Sequence, residues 1–213
     1  DERNDYREFY KKHYADMIAS GMDEKSAKNA AEKKAIEDAI KQGVVVVPAT
    51  GRPVAGVPKE FAVIEGVQYA LTANGAAIYD LQTGKCVYQN AMSMELACDL
   101  IARLQKYDVM VDAFIDGMGY VEADVLARMH EFAMSEVIKK YILDTRKTVE
   151  NLSDYIKSRE CRVEKITVNF KRLREADGST QSNTEGNEKK EANAEWLLHK
   201  KEVMLVLSEY PQL

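Results

Sequence analysis

The sequence predicts an α/β protein: a fragment of a covered parallel sheet, preceded by an N-terminal helical arm and followed by an α+β domain. Three observations lead there. Val44-Val45-Val46-Val47 is a run of β-branched residues without polar alternation, the pattern of a strand covered on both faces. A helical apolar pattern and Gly43 precede it, and the loop Ala49-Thr50-Gly51-Arg52-Pro53 comes after it, which is the order of a βαβ-type fragment. After residue 84 the rhythm changes to short strands interleaved with helices, the mark of an α+β module.

Along the chain, Tyr6, Phe9, Tyr10, Tyr14, Met17 and Ile18 recur at spacings of three and four, so an amphipathic helix covers 6–18. Gly21 suits a helix C-terminus and Asp23 an N-cap, and a second helix is expected over 24–42 with Ala27, Ala30, Ala31, Ala35, Ile36, Ala39 and Ile40 on its apolar face. Strands at 69–73 and 76–79 flank Asn74-Gly75, a hairpin signal, and 85–89 continues the sheet after the Thr83-Gly84 turn. A helix over 94–106, strands over 109–115 and 119–122, helical patterns over 123–141 and 149–159, and strands over 163–170 and 202–208 complete the chain. The stretch 172–194 is too polar to pack and reads as a flexible insertion, with Trp196 anchoring the segment after it. These elements divide the chain into an arm (1–42), a partial core (43–84), an α+β domain (85–208) and a return toward the core (209–213).

A net charge of −5, with 46% hydrophobic and 31% charged residues, gives neither a basic footprint for nucleic acid nor an apolar run of membrane length. The expected partner is a small molecule or another protein. Cys86, Cys98 and Cys161 are odd in number and widely spaced, which reads as free thiols in a reducing cytoplasm. The charged stretch 1–12 has no signal core, so a cytoplasmic location is expected. His13, His130 and His199 read as solvated helix-face residues, and Asp112, Asp116 and Glu122 as one polar face of a sheet, or else as the lining of a substrate cleft.

Chemistry concentrates at 50–52 and 74–75. A loop at the carboxyl end of a parallel strand faces the crevice where open α/β sheets bind ligands. There Thr50 presents a hydroxyl, Gly51 lets backbone amides approach an anion, and Arg52 offers a phosphate contact or a structural ion pair. The run Ala39 to Pro53, followed by Thr72-Ala73-Asn74-Gly75-Ala76, resembles the haloacid-dehalogenase-like phosphatases, in particular the Cof-type branch with a large C2-type α/β cap. Tyr141-Ile142-Leu143 and Val163-Glu164-Lys165-Ile166 resemble segments of that cap. The resemblance implies a partial Rossmann-like core with an inserted cap, and magnesium-dependent hydrolysis of small phosphomonoesters such as sugar phosphates.

Such enzymes use an aspartate nucleophile after the first strand and a second aspartate two positions on as acid and base. Aligned with that motif, Gly21 occupies the nucleophile's place and Asp23 the acid/base and metal-binding place, with Thr50, Gly51, Arg52, Asn74 and Gly75 around the substrate. Read instead as a helical hairpin, Gly21 and Asp23 are a C-cap and an N-cap without chemistry. The family's lysine and its acidic metal loop have no counterpart in these 213 residues. The expectation is therefore a weakly active or inactive relative, or else a noncatalytic binding protein completed by dimerisation or by a partner chain.

Overall fold

The computed structural model describes residues 2–171 and 199–210, so the insertion at 172–194 and Trp196 lie outside the described residues. The chain forms two compact units, one of residues 1–52 and 57–88, the other of 53–56 and 89–213. Among the described residues no helix is long and apolar enough to cross a membrane.

In the first unit, helix α1 (Glu2–Ala19) and helix α2 (Glu24–Lys41) form a hairpin. Gly21, at φ +86°, closes α1: its N–H donates to Ile18 O at 3.0 Å and that of Met22 donates to Met17 O at 3.2 Å. This pair of bonds satisfies carbonyls that the helix end would leave open, and it needs a residue free to adopt positive φ. Asp23 then opens α2. Ala27, Ala31 and Ala35, spaced by four, are fully buried and let the helices approach closely. His13, expected in solvent, instead bridges the hairpin, its Nε2 2.7 Å from Asp38 Oδ2. That bond holds the Asp38 carboxyl below its ordinary value.

A short helix α3 (Lys59–Ala62) leads to strands β1 (Tyr69–Thr72), β2 (Ala77–Asp80) and β3 (Cys86–Gln89), a sheet ordered β1-β2-β3. Strands β1 and β2 are antiparallel, with Thr72 opposite Ala77, as the Asn74-Gly75 signal predicts. Asp80 fastens the next turn: its Oδ1 accepts from the N–H groups of Gln82 and Thr83 at 2.9 and 2.8 Å. Ile36, Ile64 and Val67 form the unit's small core.

The valine run departs from expectation. Residues 44–47 are extended but belong to no strand, and exposure alternates along them, with Val45 82% and Val47 41% exposed. Only Val46 packs on the core. A covered strand needs neighbours on both edges and both faces, whereas this segment meets β1 through one parallel bridge, Ala49 to Leu71.

In the second unit, helix α4 (Met94–Leu104) precedes strands β4 (Val109–Ile115) and β5 (Met118–Glu122). The helical pattern expected over 123–141 breaks into α5 (Ala123–Ala127) and α6 (Glu136–Thr145), the latter opened by the Ser135 hydroxyl, which accepts from Ile138 N. Strand β6 (Arg146–Val149), helix α7 (Leu152–Arg159) and strand β7 (Lys165–Phe170) complete a sheet ordered β6-β5-β4-β7, parallel only between β5 and β6. Residues 202–208 are not a strand but part of helix α8 (Lys200–Ser208). Val203, Val206 and Leu207, at spacings of three and four, pack on the main core, whereas Met204 and Leu205 face solvent.

Strand β4 is buried along its whole length. Val109, Val111, Ala113 and Ile115 meet α4 and α7 through Ile101, Leu104, Leu152 and Ile156. On its other face Met110 packs with Met129, Phe132 and Ile142. Asp112 is therefore not part of a polar outer face. It is fully buried, and Arg146 Nε donates to its Oδ2 at 2.5 Å. Burial pushes the Asp112 carboxyl up, opposed by the Arg146 charge. The guanidinium lies over the Phe114 ring, 4.6 Å from its centroid. Gly119 provides the room: a Cβ there would stand 2.7 Å from Arg146 Nε.

Removing one member of a buried pair strands the other charge, which costs about 3–5 kcal/mol, whereas removing both is far cheaper. Urea denaturation of Arg146→Met should show that loss, and Asp112→Leu combined with Arg146→Met should recover most of it.

Candidate functional site

Thr50, Gly51, Arg52, Asn74 and Gly75 all lie in the first unit, and backbone hydrogen bonds bring their two segments together. Leu71 N donates to Pro48 O and Thr50 N donates to Leu71 O, both at 2.9 Å, so the chain enters the loop parallel to β1. The turn after β1 then reaches back. Ala73 N donates to Arg52 O at 2.9 Å and Asn74 N donates to Thr50 O at 3.1 Å. The Thr50 hydroxyl oxygen accepts from Arg52 N at 3.2 Å, which bends the loop and leaves its proton available to a ligand.

The turn itself is held in a rarely occupied conformation. Ala73, Asn74 and Gly75 have φ of 51°, 59° and 100° in succession. Glycine takes such values freely and asparagine readily, but alanine at positive φ is strained. The two bonds to residues 50 and 52 fix the conformation from outside, as strained positions require. Thr72 underneath is fully buried, its hydroxyl donating to Ala77 O at 3.2 Å. Around this turn Asn74 and Arg52 are exposed and Thr50 is half-buried. A hydroxyl, a carboxamide and a guanidinium are donor types that suit an anion.

Asp23 lies elsewhere in the unit's construction. Its Oδ1 accepts from Lys25 N and Ser26 N, both at 3.1 Å, and β-region angles of −64° and 155° complete an N-cap. The Ser26 side chain, with the helix amides, holds this carboxyl below its ordinary value. The hairpin reading of 18–23 is the one the fold adopts. The described partners of Asp23 belong to the first turn of α2.

Magnesium prefers near-octahedral oxygen ligation with at least one or two carboxylates free to bind it. Here one oxygen of Asp23 is committed to two amides. No group of three or more His, Cys, Asp or Glu stands together among the described residues. The residues present do not fit the ion.

Sequence reasoning gave Ala73 and the Leu71 bridge no part in the site. Neither carries a chemical group, and only the paired backbone reveals their part in the site.

Comparisons with known proteins bear on this geometry. A model of haloacid dehalogenase-like hydrolases matches residues 22–203. Compared by sequence with curated proteins, the chain matches none. Among solved structures, a haloacid dehalogenase-like hydrolase from B. subtilis is similar with a TM-score of 0.50 and 19% identity, over 76% of this chain and 57% of that one. A protein from Thermotoga maritima is 23% identical with a TM-score of 0.44, over 61% of this chain and 45% of that one. A subclass IIB sugar phosphatase is 21% identical with a TM-score of 0.41, over 56% and 45%. The chain thus spans little more than half the length of the B. subtilis protein, whose likeness shows a shared fold.

Asparagine caps a helix as well as aspartate does, and alanine does not. Asp23→Asn should therefore leave the thermal midpoint unchanged, and Asp23→Ala should lower it. Because the folded-state pKa of Asp23 lies below the unfolded value of about 3.9, the carboxylate's stabilisation is present above that pH. That part is lost as pH falls through the folded value, so the gap between the parent and Asp23→Ala should narrow below about pH 4.

Proposed function

The chain belongs to the haloacid dehalogenase-like hydrolase family, and from that premise we propose that it binds the phosphoryl group of small phosphomonoesters, sugar phosphates among them, at Thr50, Gly51, Arg52, Asn74 and Gly75. It does so with little or no turnover by these 213 residues. One observation carries the reading: the Thr50-to-Arg52 loop is bonded to the left-handed turn at 73–75 through two backbone hydrogen bonds. The Thr50 hydroxyl would donate to one phosphoryl oxygen and Arg52 would supply the opposing charge. Gly51, lacking a side chain, would let the backbone come close to the phosphoryl group, and Asn74 would border the entrance.

Turnover asks for more than binding. The family's chemistry passes through an aspartyl nucleophile and magnesium, which offsets the phosphoryl charge. Gly21 has no group that attacks phosphorus, and Asp23 acts as a helix cap. An acid/base role for Asp23 would require it to leave that cap. The binding half of the site supports recognition, and nothing in the hairpin supports the covalent half.

A second reading is favoured by the valine segment. An extended edge with Val45 82% exposed is a surface that natural proteins usually cover. Under this reading the chain is a noncatalytic interaction protein, completed by a second copy or by another chain.

In calorimetry with a sugar phosphate, Thr50→Val and Arg52→Ala should each weaken binding about tenfold, or about 1.4 kcal/mol. With magnesium and a generic phosphomonoester, turnover should not exceed that of buffer. Turnover that Asp23→Asn abolishes would overturn the noncatalytic half of the proposal, and equal affinity in all three proteins would overturn the binding half. A concentration-dependent dimer in light scattering, without phosphate binding, would favour the second reading.

A further inference from the structure

We propose that Glu164 is a positioning residue that fastens both connections between the two units to a single turn of the second. The chain enters the second unit briefly at 53–56, returns to the first, and crosses for good at residue 89. Both passages are tied down inside the second unit, and one carboxylate joins the ties.

The first passage is held by the turn between β4 and β5. Ala55 N donates to Gly117 O at 3.0 Å. That turn is sharp, with Asp116 and Gly117 at φ of 49° and 72°. Its peptide is bonded on the opposite side as well: Gly117 N donates to Glu164 Oε1 at 3.1 Å. The same oxygen accepts from Gln89 Nε2 at 3.4 Å, and Gln89 is the first residue of the final crossing. The neighbouring backbone reinforces this end, since Met92 and Val163 exchange N–H to O bonds at 2.9 and 3.1 Å and Arg162 Nη2 donates to Ala91 O at 2.8 Å. Glu164 itself cannot wander. It is 5% exposed, and its N–H donates to Phe114 O at 2.8 Å.

A buried carboxylate is costly unless its hydrogen bonds repay desolvation. Here the bonds recruit two segments far apart in sequence that share one property, that each joins the units. Without the carboxylate, the Gly117 amide loses its acceptor and the final crossing loses its side-chain tie. The latch is independent of phosphate binding, and its test involves no ligand.

The test uses the full chain with three substitutions. Glu164→Leu removes the acceptor, Glu164→Gln keeps an oxygen in its place, and Gln89→Leu releases the final crossing alone. Amide hydrogen exchange reads these bonds directly. In Glu164→Leu, exchange at Gly117 and Ala55 should accelerate about tenfold or more while Val111 and Ala113 in β4 keep their protection. Glu164→Gln should restore the slow exchange. Parent-like exchange at Gly117 and Ala55 in Glu164→Leu would overturn the proposal. Should Glu164→Leu fail to fold, Gln89→Leu decides: faster exchange at Met92 with Gly117 protection intact supports the latch, and unchanged exchange at Met92 refutes it.

Discussion

Leu71 sits at the junction on which the candidate site depends. Its N–H goes to Pro48 and its carbonyl receives Thr50, so one residue of β1 sets the register of the incoming loop. Two residues later the turn reaches back to Thr50 and Arg52 through Asn74 and Ala73. Four main-chain hydrogen bonds thus lock a Thr-Gly-Arg segment against an Ala-Asn-Gly turn without using a functional side-chain group. The Arg52 side chain extends from that frame, and the Thr50 hydroxyl, although it accepts from Arg52 N, retains its proton for a ligand. A positive φ at Ala73 is the strain this register imposes, and the same bonds sustain it.

The other half of the family's chemistry meets a different local solution. Where a strand and an acidic loop would be wanted, Gly21 and Asp23 end one helix and begin the next, each closing its helix end with hydrogen bonds. A carboxylate that satisfies helix amides is in poor condition to bind magnesium or to exchange protons with a substrate. The consequence reaches the neighbouring valines. With β1 bridged to one side of the segment and no further strand described beyond it, Val45 and Val47 keep one face in solvent.

Much of this was legible in the residues. Helix ends marked by Gly21, Asp23 and Gly43, the Asn74-Gly75 hairpin and the extent of β4 all express local rules of capping, turn geometry and periodicity, and all recur in the structure. The misreadings share a cause as well. Four valines describe a strand that could be covered, and whether it is covered depends on partners far away in the sequence. Residues 202–208 are apolar enough for either period, and only the core that receives Val203 selects the helix. Asp112 and His13 look solvent-facing until Arg146 and Asp38 arrive from 34 and 25 residues away. The site followed the same division. Thr50, Arg52 and Asn74 announced themselves by type and spacing, whereas the backbone bonds that join them, and the Glu164 latch, are products of tertiary placement.

The central claim is that these two segments form one anion-binding surface. Titrating the 15N-labelled chain with inorganic phosphate tests it most directly, since each amide reports separately. The amide resonances of Gly51, Arg52, Asn74 and Gly75 should move together along one binding curve, and in Thr50→Val that curve should lie at about tenfold higher phosphate. Shifts confined to other regions, or none at these four amides, would contradict the account.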